Sequence, residues 1–187
     1  MSRSDREEEL FVPYERDDER PPEKRLVGWL AGLVNTRDVG ALADLRRTRV
    51  FTVPRLVAGT FAYGDKQGIA VFEQVAYLFA RFHAGRRDAH YGFGSLGLAM
   101  RRIGGPNSKG PDNDGCVRLL NQILVSRQPP WRRIQHAIDQ LRPDKITPPP
   151  SWAQLAVDLR LWNDPGKTVQ HDWASDFYLP PKKRKQS

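Results

Sequence analysis

The chain has 187 residues, with 30 Lys and Arg against 22 Asp and Glu and a pI near 9.9, enough for one domain, or one domain and a small appendage, around a buried core. A formal charge of +8 favours an anionic partner over a neutral small substrate. Cys116 is the only cysteine, which excludes an internal disulfide and a cysteine-based zinc cluster.

The charge is unevenly placed. Residues 1–25 hold 6 basic and 9 acidic groups, leaving 24 basic against 13 acidic, or +11, for the remainder. Residues 1–24 are therefore expected as a flexible acidic leader, in which only Leu10, Phe11, Val12 and Tyr14 offer an apolar patch able to dock on a neighbour. The opening is too charged for a secretory signal, and no apolar run reaches the roughly 18 to 20 residues that span a bilayer. A cytoplasmic protein with no membrane partner is expected.

From residue 25 the pattern becomes helical. Leu26, Leu30, Leu33 and Val34 recur at the spacing of one buried face, with Val27 and Trp29 filling the gaps. Thr36 or Asp38 can cap a second helix that turns Val39, Leu42 and Leu45 inward and carries Arg46, Arg47 and Arg49 in its last turn. Arg46 there projects about 40° from Leu42, at the rim of the apolar stripe. Val50 to Val53 is β-branched, but Pro54 favours a short helix over 54–62. Residues 67–83 carry apolar groups around half the circumference and predict the central helix. Residues 84–93 are irregular, and Ser95 caps a helix through Ile103 that ends in Arg101 and Arg102. GGPNSKGPDNDG, residues 104–115, is a loop of turn formers. Helices follow over 114–127, 131–141, 152–162 and 168–178, with a proline-rich connector at 142–150 and a basic tail at 180–187. Nothing in this pattern asks for a sheet, so the fold class is all-α.

Catalytic chemistry finds little support. His83, His90, His136 and His171 stand in no metal-ligand spacing, and His171, Asp172 and Asp176 fall on one short helix where surface or capping roles suffice. Cys116 has no nucleophile signature and suits a small buried residue. The glycines around Lys109 are in the wrong order for a phosphate loop. No catalytic residue, metal or cofactor is expected; a nuclease or deaminase would have to act without a recognisable ligand set.

Arginine is the better lead. Arg46 and Arg47, Arg101 and Arg102, and Arg132 and Arg133 occur as doublets at helix ends or starts, with Arg118 and Lys167 on neighbouring elements. Guanidinium forks match phosphate oxygens, and helix-borne arginines keep fixed spacing along a backbone, which suits contact without sequence preference. The five Trp fall mostly at core spacing and read as packing rather than as base-stacking platforms. The alternative is a scaffold whose basic faces meet acidic protein surfaces.

Three blocks in order, LVGWLAGLVNTRDVGALADLRR, GSLGLAMRRIG and WAQLAVDLRLWNDPGKTVQHDWASDFY, resemble the CasB family, small subunit of the type I-E CRISPR surveillance complex Cascade. The resemblance implies a non-catalytic protein of two packed helical subdomains, here 25–103 and 116–179. It further implies two copies in one complex, other Cascade subunits and crRNA as partners, and basic surfaces that hold target DNA and the displaced non-target strand. Arg46 and Arg47 match the family's arginine pair after the second helix, and Lys167 its basic position before the last helix. Arg101, Arg102 and Arg118 fall in its basic middle motifs. The chain departs at Val117, where a second arginine is common, and at Thr168 and Val169, where basic residues are common.

Overall fold

The computed structural model describes residues 20–47, 50–143 and 148–179; most of the expected leader, Arg49, part of the connector and the basic tail lie outside the described residues. Helix α1, Pro22–Asn35, opens inside the expected leader because Pro22 supplies the fixed φ of a first helical turn, where a missing N–H costs nothing. It buries Leu26, Val27, Leu30, Ala31 and Val34, the face the spacing predicts. Arg37, with φ of 59°, turns the chain, and Asp38 caps α2, Val39–Leu45, by accepting the Ala41 N–H at 2.9 Å. Helix α2 stops one residue before the arginines, so Arg46 is its C-cap rather than part of its last turn. Val39, expected to face inward, is 68% exposed, because a seven-residue helix buries only Leu42 and Leu45.

Helix α3, Val53–Thr60, takes Pro54 in its first turn, and α4, Lys66–Phe82, is capped by Asp65. Helix α4 buries Val71, Phe72, Val75, Phe79 and Phe82 and packs against α1, α2 and α3, as its broad apolar front requires. Helix α5, Leu96–Met100, begins at Ser95, whose Oγ accepts the Leu98 N–H and donates to Asp176. It ends three residues earlier than expected. Gly104, at φ of 128°, and Gly110, at φ of 51°, let the chain reverse through a small antiparallel pair, β1 Gly104–Gly105 and β2 Ser108–Lys109, and a 3-10 turn at Gly110–Asp112. That pair corrects the expectation of a plain loop at 104–115.

Helices α6, Asp114–Leu124; α7, Trp131–Leu141; α8, Trp152–Arg160; and α9, Thr168–Tyr178 complete an all-α fold. Helix α8 lies on α1 and α4, α7 on α4 and α6, and α9 on α5, so a continuous core crosses the 104–115 segment. Trp152, Trp162 and Trp173 are fully buried within it. Each indole N–H finds an acceptor: the His90 carbonyl at 2.8 Å, the Ser126 carbonyl at 3.1 Å and the Asp158 carboxylate at 2.6 Å. An unmet donor there would cost about 1–3 kcal/mol, and these rings are packing, as their spacing predicts. Ion pairs reinforce two seams: Arg55 to Glu73 at 2.8 Å ties α3 to α4, and Arg81 grips Asp139 with two bonds of 2.6 and 2.9 Å between α4 and α7.

Candidate nucleic-acid interface

The expected cationic residues divide by what their side chains already hold. Arg46 and Arg47 follow the end of α2. Arg46 is half-buried beside Leu42, whereas Arg47 is exposed and meets Asp44 at 3.5 Å across one helical turn. Such an exposed pair stabilises by at most about 1 kcal/mol and releases its arginine readily. Arg132 and Arg133 occupy the first turn of α7 and are exposed. Cations at a helix N-terminus face the positive end of the macrodipole and lose a few tenths of a kcal/mol there, and this first turn carries no acidic residue to offset them. Helix stability does not explain that doublet; an anion brought to this helix start would meet the positive end of the dipole and exposed cationic side chains.

Arg101 has a different use. Its Nη1 donates to the Phe177 carbonyl at 2.9 Å and to the Leu179 carbonyl, so it caps the end of α9 and satisfies carbonyls that the helix leaves open. Arg102 is half-buried, and its Nη1 is a buried nitrogen without a hydrogen-bond partner among the described residues. Arg118 is exposed on α6 and lines a shallow depression with Asp114, Val117, Asn121, Gln122 and Val125. Lys167 is exposed at the start of α9 in the left-handed conformation, φ 51° and ψ 35°, which a lysine adopts at a cost.

The fold does not gather all eight on one element. It does bring Arg46 together with three arginines that the doublet reading left out: Arg37, in the turn before α2, and Arg86 and Arg87, just after α4. They rim a groove of about 280 Å³ whose apolar wall is Val34, Val39 and Leu42. The available signal was the turn at Gly85, φ 81°, which presents the Arg86 and Arg87 doublet beside the end of α1. Arg86 lies 4.4 Å over the Phe82 ring and donates to the Arg142 carbonyl, which fixes its side of the groove.

The candidates for chemistry are quiet. His83 is buried; its Nδ1 donates to the Phe79 carbonyl at 2.8 Å, and its Nε2 accepts the His90 N–H at 2.9 Å. A carbonyl only accepts, so this network assigns a neutral imidazole protonated on Nδ1. Burial, with smaller contributions from His90 and Arg86, pushes its pKa down to about 4. Cys116 is buried against the Met100 carbonyl, and burial pushes its thiol up to about 11. His171 and Asp172 are an exposed pair 3.7 Å apart. Among the described residues no three His, Cys, Asp or Glu side chains are grouped to hold a metal ion, and no helix is long and apolar enough to cross a membrane.

The chain is similar to known proteins in both sequence and fold. No curated protein sequence matches it. The crystal structure of CasB from Thermobifida fusca matches the fold with a TM-score of 0.64 at 22% identity, covering 83% of this chain and 94% of that one. A family model described as CRISPR-associated protein Cse2 matches residues 41–178, which takes in α2 except its first two residues and every later element through α9. The resemblance carried by the three sequence blocks is therefore real, and the chain belongs to the CRISPR-associated Cse2 family.

Proposed function

We propose that this protein is a non-catalytic subunit of a crRNA-guided interference complex in the cytoplasm, where it holds nucleic-acid backbone and stabilises the R-loop. Target DNA and the displaced strand are its ligands, and other Cascade subunits and a second copy of the chain are its protein neighbours. The observation that carries the reading is the exposed doublet Arg132 and Arg133 at the N-terminus of α7, cations placed where the helix itself disfavours them. Arg46, Arg47, Arg118 and Lys167 add further cationic points on the surface of the same fold. Opening a duplex releases a strand that re-pairs unless it is held, and holding it demands charge without sequence preference. Arg101 serves the fold in this account, through the α9 carbonyls.

The direct test is single-stranded DNA binding by a variant with Arg46, Arg47, Arg132 and Arg133 all changed to Ala. We expect affinity at low salt to fall at least tenfold while helical circular dichroism is unchanged, since Arg47, Arg132 and Arg133 are exposed and Arg46 lies beyond the last residue of α2. Unchanged affinity in a folded variant would favour the scaffold role, with the arginines facing acidic protein surfaces.

A further inference from the structure

Three exposed aromatic rings of this fold already have a partner. Arg55 lies over the Phe51 ring at 5.8 Å, Arg25 lies over the Tyr63 ring at 5.1 Å, and Tyr178 meets Phe177 edge-on and donates its hydroxyl to Asn121. Tyr91 and Phe93 differ. They are 57% and 63% exposed, and among the described residues neither ring meets another ring or a cation, nor does the Tyr91 hydroxyl make a hydrogen bond.

The backbone beneath them is fastened to the core. The Phe93 N–H donates to the Pro149 carbonyl at 3.0 Å, the Gly94 carbonyl accepts the Ser151 N–H at 2.9 Å, and the Tyr91 carbonyl accepts the Trp152 N–H at 3.3 Å. Gly92, at φ of 79°, lies so close to the neighbouring strand of chain that a Cβ there would overlap the Pro150 carbonyl. The buried Trp152 indole adds its own bond to the His90 carbonyl. The two rings are therefore held out in water from a fixed base, and a flat ligand that stacks on them has little freedom left to remove.

Their setting says which flat ligand fits. The four residues from Arg87 to Tyr91 span at most about 13–14 Å, so the rings stand close to the arginine-rimmed groove. The stretch between is itself tied down: the Ala89 N–H donates to Asn35 at the end of α1, and the His90 N–H to His83, which lines the groove. No other large apolar residue between 84 and 95 is exposed, whereas a protein partner would call for a continuous apolar patch. Isolated rings beside cations suit a ligand that is aromatic and anionic at once. A nucleotide is both.

We infer that Tyr91 and Phe93 are a base-stacking site, each ring taking one base of the single strand whose phosphates meet the arginines of the groove. This rests on the reading of the basic surface as a strand contact and adds to it a grip that salt does not screen. Every base offers a π face, so the site holds a strand without reading its sequence. The buried Trp serve the core; these rings serve the ligand.

The test measures binding of the full chain to oligo-dT and to a strand of equal length made of abasic deoxyribose phosphate. The parent should prefer oligo-dT. Tyr91→Leu or Phe93→Leu should weaken oligo-dT binding about fivefold or more, the low end for loss of one stacked base, and leave abasic binding and the salt slope unchanged. The double variant should lose the preference, and Trp at either position should restore it. Equal parental affinity for the two strands, or a preference that survives in the double variant, would overturn the stacking while leaving the phosphate contacts in place. An equal loss on both strands would make the rings structural and overturn it too. Binding of neither strand by the parent would remove the stacking together with the reading it rests on.

Discussion

Gly97→Ala will lower the stability of this protein by about 3 kcal/mol, the upper part of the range for overpacking a core. A Cβ at position 97 would overlap the backbone carbonyl of Trp173, so it meets α9 itself rather than a side chain that could turn aside. Helices α5 and α9 approach this closely because Gly97 is fully buried and has no side chain to hold them apart. The alanine must therefore separate two helices that share Ser95 to Asp176 and Arg101 to the α9 carbonyls. Helix propensity alone favours Ala over Gly by about 1 kcal/mol, so the sign of the effect separates packing from propensity. Urea denaturation should show a lower midpoint with an unchanged slope. A midpoint that rises would mean that α5 and α9 are not in close contact.

Acid will destabilise the fold through His83. Its pKa is about 4 in the folded protein against 6.5 for a free histidine, so between those values the unfolded chain binds a proton that the native state refuses. Stability from this residue is fully present above pH 6.5 and is lost as pH falls to about 4, by about 3 kcal/mol at 1.36 kcal/mol per pKa unit. The main cause is burial of the ring, which disfavours its charged form; protonating Nε2 would also put a second donor against the His90 N–H that it now accepts. Asp158 works in the opposite direction. Burial raises its pKa despite bonds from Trp173 and Gln154, so its contribution is present below pH 3.8 and fades as pH rises through the raised value. Comparing the parent with His83→Gln isolates the histidine. The parent should lose stability between pH 6.5 and 4, and the variant should be flat by comparison, whatever its stability at pH 7. Equal slopes would show that His83 takes up its proton without losing a bond.

The helices were legible where local signals agree. Asp38 and Ser95, expected as caps, accept an N–H at the start of their helices, and α7 and α9 span the residues that their apolar spacing predicts. Several helix ends were placed too late: Arg46, Phe61, Arg101 and Val125 keep helical φ and ψ as C-caps while the hydrogen-bond ladder has already ended, α4 stops at Phe82 rather than His83, and α8 stops at Arg160 rather than Trp162. The hairpin at 104–109 was missed because glycine and asparagine are common to loops and to tight strand reversals alike. Tertiary distance hid the rest. Arg101 and Arg102 read as one doublet, yet one is bound to carbonyls 76 and 78 residues away and the other has a buried nitrogen without a partner among the described residues. The groove draws Arg37, Arg46, Arg86 and Arg87 from separate segments, so no spacing rule connects them.

The central claim, that this cationic helical surface holds nucleic-acid backbone, is tested most directly by the salt dependence of single-stranded DNA binding. Roughly 4 to 6 neutralised phosphates predict a slope of about −3 to −4 for log affinity against log salt, at −0.7 per phosphate. Binding that does not respond to salt, or no binding at low salt, would contradict it.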